Sequence, residues 1–152
     1  IHRNPYEVFL STRHMHRTVL PRSRLQSIVP AKLEAHVLQF YDQLMHRFLA
    51  DRSLIPPDNL IEVRFEDLET SPLDQLRRLY DGLRLPGFAT AEPGFRSYLE
   101  SVSGYRKNEY ALDGDTIEKV NAQWPFAFEA WGYERLERPP QSAWVQRPVG
   151  AA

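Results

Sequence analysis

The sequence contains no cysteine. That excludes a disulfide framework, a thiolate metal site and a cysteine nucleophile. It also suits a reducing compartment, so a cytoplasmic location is expected. No apolar run approaches the roughly 20 residues that a membrane-crossing helix needs. The chain starts at Ile1 rather than methionine, and the His2-Arg3-Asn4-Pro5 that follows has the character of neither a signal nor a transit peptide. This start reads as the middle of something, so a fragment of a longer polypeptide is expected. There is little net charge of either sign: the formal value is −1 over 152 residues. A strongly basic nucleic-acid binder and a polyacidic tail are both disfavoured. Apolar residues at 42% and charged residues at 26% are ordinary for a globular chain and argue against disorder.

The near-zero charge conceals an asymmetry. Residues 1–36 hold six Lys/Arg (Arg3, Arg13, Arg17, Arg22, Arg24, Lys32) against two acids (Glu7, Glu34). Four of the five histidines lie there too: His2, His14, His16 and His36. The remaining residues are net acidic. A basic end joined to an acidic body points to an anionic partner at the basic end.

Local signals order the chain into mostly helical segments. Asn4-Pro5 pairs a good N-cap with a residue preorganised for the first helical position, and Glu7 stands in the capping-box place. Helical spacing of Tyr6, Phe9, Leu10 and Arg13 predicts a helix over 5–19, ending before Pro21. Residues 21–30 then read as a loop. Leu33, Val37, Phe40, Tyr41, Leu44, Phe48 and Leu49 form an apolar stripe, predicting a helix over 31–51. Residues 60–65 read as a short strand. Ser71-Pro72 opens another helix, which stops before Pro86-Gly87. Residues 93–102 look helical, 104–114 extended. A helix starts at Asp115 or Thr116, and Trp124, Phe126, Phe128 and Trp131 form an aromatic cluster expected in the core. From about residue 135 the chain reads as a loose tail. One strand among five helices is too few for a self-standing α/β sheet.

Chemistry concentrates at the first helix start. Arg3 precedes it, and Ser11 lies one to two turns inside. Helix N–H groups, the positive dipole end and a guanidinium make an anion site, and phosphate suits it. The same residues are also compatible with a capped surface helix bearing an exposed arginine. Glu66 and Asp67 are adjacent carboxylates at the expected strand end. Capping or pairing with Arg64 is their simplest role. No catalytic residue is identified in this stretch; His14 is a weak candidate for general base, and a surface or interface histidine is the simpler reading.

These residues also resemble a family. Arg3-Asn4-Pro5 followed by Ser11 looks like the 3′-phosphate-binding segment of sulfotransferases that use 3′-phosphoadenosine 5′-phosphosulfate. Val63-Arg64-Phe65-Glu66-Asp67-Leu68, with Pro72 and Leu76-Arg77-Arg78-Leu79-Tyr80, resembles the strand–Glu-Asp-Leu–helix unit of the bacterial-type sulfotransferase family. Gly104-Tyr105-Arg106-Lys107-Asn108 and Trp124 to Tyr133 resemble its C-terminal region. The likeness spans residues 1–134 in the family's order.

The resemblance implies an α/β, P-loop-type fold, of which this chain would be a mostly helical C-terminal part with one or two strands. It implies transfer of a sulfuryl group from the nucleotide donor to a hydroxyl or amine, without a metal. Arg3 and Ser11 would contact the donor's 3′-phosphate. Arg106 and Lys107 stand where related cytosolic enzymes carry a basic pair with the same job, although Asn108 replaces the glycine that follows it there. The loop that cradles the 5′-phosphosulfate is not in the sequence, so the chain alone should be inactive. The implied partners are the donor, an unidentified acceptor and a missing N-terminal part, with no nucleic acid. Two other readings remain open: a non-catalytic phosphate- or polyanion-binding helical module, and a fragment of another P-loop enzyme such as a kinase.

Overall fold

A computed structural model describes residues 1–23 and 29–138. The expected loop over 21–30 lies partly, and the expected tail mostly, outside the described residues. Seven α-helices occur among them: α1 (Pro5–Ser23), α2 (Pro30–Asp51), α3 (Phe65–Thr70), α4 (Pro72–Gly82), α5 (Phe88–Ser101), α6 (Gly114–Gln123) and α7 (Pro125–Trp131). Short 3-10 turns at Arg52–Leu54 and Pro57–Asn59 link α2 to α3. The chain divides into two compact units. Unit 1 joins Ile1–Arg3 to Ala50–Lys107, and unit 2 joins Asn4–Leu49 to the residues from Asn108 onward.

Unit 2 is organised around Trp124, which is fully buried. Its indole N–H donates to the Leu38 carbonyl at 2.9 Å. Phe9 meets the indole edge-on at a centroid distance of 6.0 Å, and Tyr41 packs at 4.1 Å. The edge-on contact with Phe9 is one that aromatic pairs favour. Tyr6 and Phe128 lie 5.0 Å apart, and Val37, Ile117 and Val120 fill out the core. The Tyr6 hydroxyl donates to Asn121 Oδ1 at 2.6 Å and accepts from the Leu136 N–H at 2.9 Å. The Leu136 carbonyl accepts from Asn121 Nδ2 at 2.8 Å. The chain is therefore pinned to the start of α1 as far as Leu136.

Capping explains the helix ends. Asn4 Oδ1 accepts from the Tyr6 N–H at 3.0 Å, fulfilling the cap expected from Asn4-Pro5. Asp113 caps α6 through the Thr116 N–H at 2.7 Å, just ahead of the start expected from the sequence. The hydrogen bonds it takes from Thr116 hold its carboxyl below the usual carboxylate range. Gly132 closes α7 in the left-handed region, at φ +65°, a conformation that costs glycine little.

Glu34 gathers three cations within unit 2. It accepts from Arg13 at 3.3 Å, Arg17 at 2.9 Å and Lys119 at 3.0 Å. Arg13 and Arg17 belong to the basic segment of the sequence. Their charge is spent on tying α1 to α2, which weakens the reading of that segment as a polyanion-binding surface.

Burial pushes the half-buried Tyr41 phenol up to about 12. Its raised value means that the neutral form is favoured in the fold. The stabilisation is complete below the ordinary tyrosine range and is lost as pH rises through about 12. We expect Tyr41→Phe to abolish part of the alkaline loss of stability. Denaturant unfolding at a series of alkaline pH values checks this, and identical pH profiles for the two proteins would refute it.

Unit 1 holds α3, α4 and α5. Tyr80 of α4 packs edge-on to Phe88 at 5.2 Å and to Phe95 at 6.1 Å, joining α4 to α5. A Cβ added at Gly82 would displace the tip of the Ile61 side chain.

Three expectations need correction. The segment 60–65 is not a strand: among the described residues β-pairing is confined to one parallel bridge between His2 and Arg64. Leu60 and Arg64 are extended, but a strand needs a partner along its length, and His2 alone provides one. The expectation of one or two strands therefore reduces to this bridge. Pro21 lies inside α1 rather than beyond it. It is exposed and in the last turn, where a proline interrupts little of the helix that precedes it. Finally, α5 starts at Phe88, five residues ahead of Pro93. Burial of Phe88 against Tyr80 and Phe95 outweighs the proline's preference for a helix start.

Candidate functional site

The bridge fixes the first candidate residue. The His2 N–H donates to the Val63 carbonyl at 2.9 Å, and the Phe65 N–H donates to the His2 carbonyl at 2.8 Å. Desolvation at this half-buried place lowers the His2 pKa, against the pull of Glu62, and so favours the neutral ring. Arg3 follows directly. Its guanidinium carbon sits 4.4 Å from the centroid of the Phe65 ring.

Lys107 arrives at the same ring from the other end of unit 1. Its Nζ lies 5.8 Å from the Phe65 centroid and 2.6 Å from Glu69 Oε2. Phe65 and Glu69 are one turn apart on α3, the spacing that places side chains on one helix face. The structure thus brings together two residues of the expected phosphate site, Arg3 and Lys107. Arg106 is exposed beside Lys107. Ser11 is half-buried on α1 and belongs to unit 2.

His14 also belongs to unit 2. It is exposed, meets the Tyr110 ring at a tilt with centroids 5.5 Å apart, and has Nε2 3.5 Å from the Thr18 hydroxyl. Neither contact polarises the ring as a carboxylate partner would. Glu66 pairs with Arg64 at 3.7 Å, the structural role expected for it. Among the described residues no group of three or more His, Cys, Asp or Glu is arranged to hold a metal ion. No helix among them is long and apolar enough to cross a membrane.

Phe65 and Glu69 were not legible as site residues. Phe65 reads as an alternating residue of a strand, and Glu69 as an ordinary surface acid. Only the fold shows that one ring and one carboxylate of α3 receive the two cations.

A family model described as the sulfotransferase family matches residues 1–90. The chain belongs to the sulfotransferase family. This bacterial-type sulfotransferase chain is also 33% identical over 148 residues to omega-hydroxy-beta-dihydromenaquinone-9 sulfotransferase Stf3 of Mycobacterium bovis, and equally to that of Mycobacterium tuberculosis. Each match covers 97% of this sulfotransferase chain and 38% of the relative, so the chain spans well under half the length of those curated proteins. No solved structure matches it. The family carries a P-loop-type α/β fold.

Proposed function

We propose that this chain supplies the 3′-phosphate side of the donor site in a sulfotransferase that uses 3′-phosphoadenosine 5′-phosphosulfate. The observation that carries the reading is the meeting of Arg3 and Lys107 at one ring. A guanidinium donates two parallel hydrogen bonds to a phosphate, and an ammonium adds a point charge. The 3′-phosphate distinguishes this donor from an ordinary adenylate, so cations placed for it select the donor. The family motif adds Ser11 and Arg106 to the same job, an assignment that rests on the motif alone.

In the reaction the acceptor oxygen or nitrogen attacks the sulfur. The bond between sulfur and the bridging oxygen breaks, and adenosine 3′,5′-bisphosphate leaves. The acceptor's proton passes to a base, for which this chain offers only the weak candidate His14. A hydroxyl acceptor is favoured over an amine, since the relatives are named for a hydroxylated dihydromenaquinone. No glycine-rich phosphate loop occurs in these 152 residues. The chain by itself therefore binds the bisphosphate without transferring a sulfuryl group.

Calorimetry on the 152-residue chain tests this. Adenosine 3′,5′-bisphosphate should bind at least about tenfold more tightly than 5′-AMP, as expected for one charge-assisted phosphate contact. Equal affinities, or sulfuryl turnover by the isolated chain, would overturn the reading.

A further inference from the structure

We infer that Phe65 is a positioning residue: its ring face holds the Arg3 guanidinium, with Lys107 alongside, in the geometry that receives a phosphate. The inference rests on the donor-site reading and deepens it.

The backbone sets up the contact. Phe65 opens α3, and its N–H donates to the carbonyl of His2, the residue before Arg3. Ring and guanidinium are thus delivered from backbone atoms already locked together. An arginine on a flexible stem loses rotamer entropy when it binds an anion. A guanidinium laid over an aromatic face has lost part of that freedom beforehand. A ring contact engages the flat face of a guanidinium, whereas its N–H donors lie in its plane.

The ring also answers an electrostatic difficulty. The two measured distances leave the charge centres of Arg3 and Lys107 within about 10 Å, roughly one Debye length at 0.1 M salt. Their mutual repulsion works against bringing them to one place. The negative face of the ring attracts both, and Glu69 holds Lys107 at 2.6 Å. Glu69 already offsets one of the two charges, and a carboxylate in the place of Phe65 would offset the other, leaving no net positive charge for the phosphate. An aromatic ring attracts cations while carrying no net charge. It can gather the pair and leave the site receptive to an anion.

The test uses the full 152-residue chain, with adenosine 3′,5′-bisphosphate and 5′-AMP as probes. Phe65→Leu keeps an apolar side chain and removes the π face. It should weaken bisphosphate binding about three- to tenfold and leave 5′-AMP binding unchanged. Phe65→Tyr keeps the face and should restore the discrimination. The NMR signal of the Arg3 Nε–H should be displaced by the ring current in the wild-type chain and in Phe65→Tyr, and should return to its ordinary place in Phe65→Leu. If the wild-type chain fails to discriminate the two nucleotides, the donor-site reading fails. If it discriminates and Phe65→Leu discriminates equally well, the positioning role alone is wrong. Should Phe65→Leu not fold, an undisplaced Arg3 signal in the wild-type chain refutes the role.

Discussion

Arg3→Ala lowers the affinity for adenosine 3′,5′-bisphosphate about tenfold to a hundredfold and leaves that for 5′-AMP nearly unchanged. The magnitude follows from the contact removed. Hydrogen bonds to a charged group contribute about 1.5–3 kcal/mol, and about 1.4 kcal/mol is a factor of ten. The selectivity follows from location, because the lost cation is assigned to the one phosphate that 5′-AMP lacks. Arg3→Lys keeps the charge but gives up the two-pronged donation, so it should fall between wild type and alanine. Raising salt should narrow the difference, since part of the attraction is screened. An equal weakening for both nucleotides would place Arg3 elsewhere on the donor, and no weakening would remove it from the site.

The largest stability effect is expected at Trp124. Trp124→Ala should cost unit 2 about 3–5 kcal/mol, the range for removing a large buried aromatic. The residue is 0% exposed, and it touches Phe9 and Tyr41 while donating to the Leu38 carbonyl. Alanine opens a cavity at the centre of the cluster and leaves that carbonyl without its indole donor. Since small domains have only about 5–15 kcal/mol in all, a large share of the stability of this unit is at stake. Trp124→Phe should recover part of the packing while still losing the hydrogen bond. Guanidinium unfolding followed by far-ultraviolet circular dichroism measures both, and a loss below about 1 kcal/mol would contradict the central place given to this side chain.

What the sequence revealed, and what it hid, divides along a physical line. Asn4-Pro5 marks the start of α1 because a cap acts within a few residues. Trp124 reads as core because a large apolar ring has little alternative. The helix starting at Phe88 was hidden because its cause is a contact with Tyr80 on another helix. The segment 60–65 has a strand's composition, yet whether it becomes one depends on a neighbour, and His2 supplies a single bridge. The site shows the same division. Arg3 and Lys107 were named from motif resemblance. Their meeting at Phe65 was not, because it joins three segments widely separated in the chain. The basic character of residues 1–36 was plain, but the use of Arg13 and Arg17 on Glu34 appears only in the fold.

The interleaving of the two units has a consequence for how the site comes into being. The chain leaves unit 1 after Arg3, builds most of α1 and α2 in unit 2, returns at Ala50 and leaves again after Lys107. Neither unit is a continuous stretch that could be excised or swapped by a single cut. During synthesis Arg3 emerges first, but Lys107 follows on the order of ten seconds later at ordinary translation rates. Until then the guanidinium has no completed cradle. Closing the bridge between His2 and Arg64 must also repay the entropy of a loop of about sixty residues. The meeting of Arg3 and Lys107 therefore waits for residue 107 but not for the residues from Asn108 onward, which complete unit 2, and a nascent or clipped form lacking either end of unit 1 would carry the motif without that meeting.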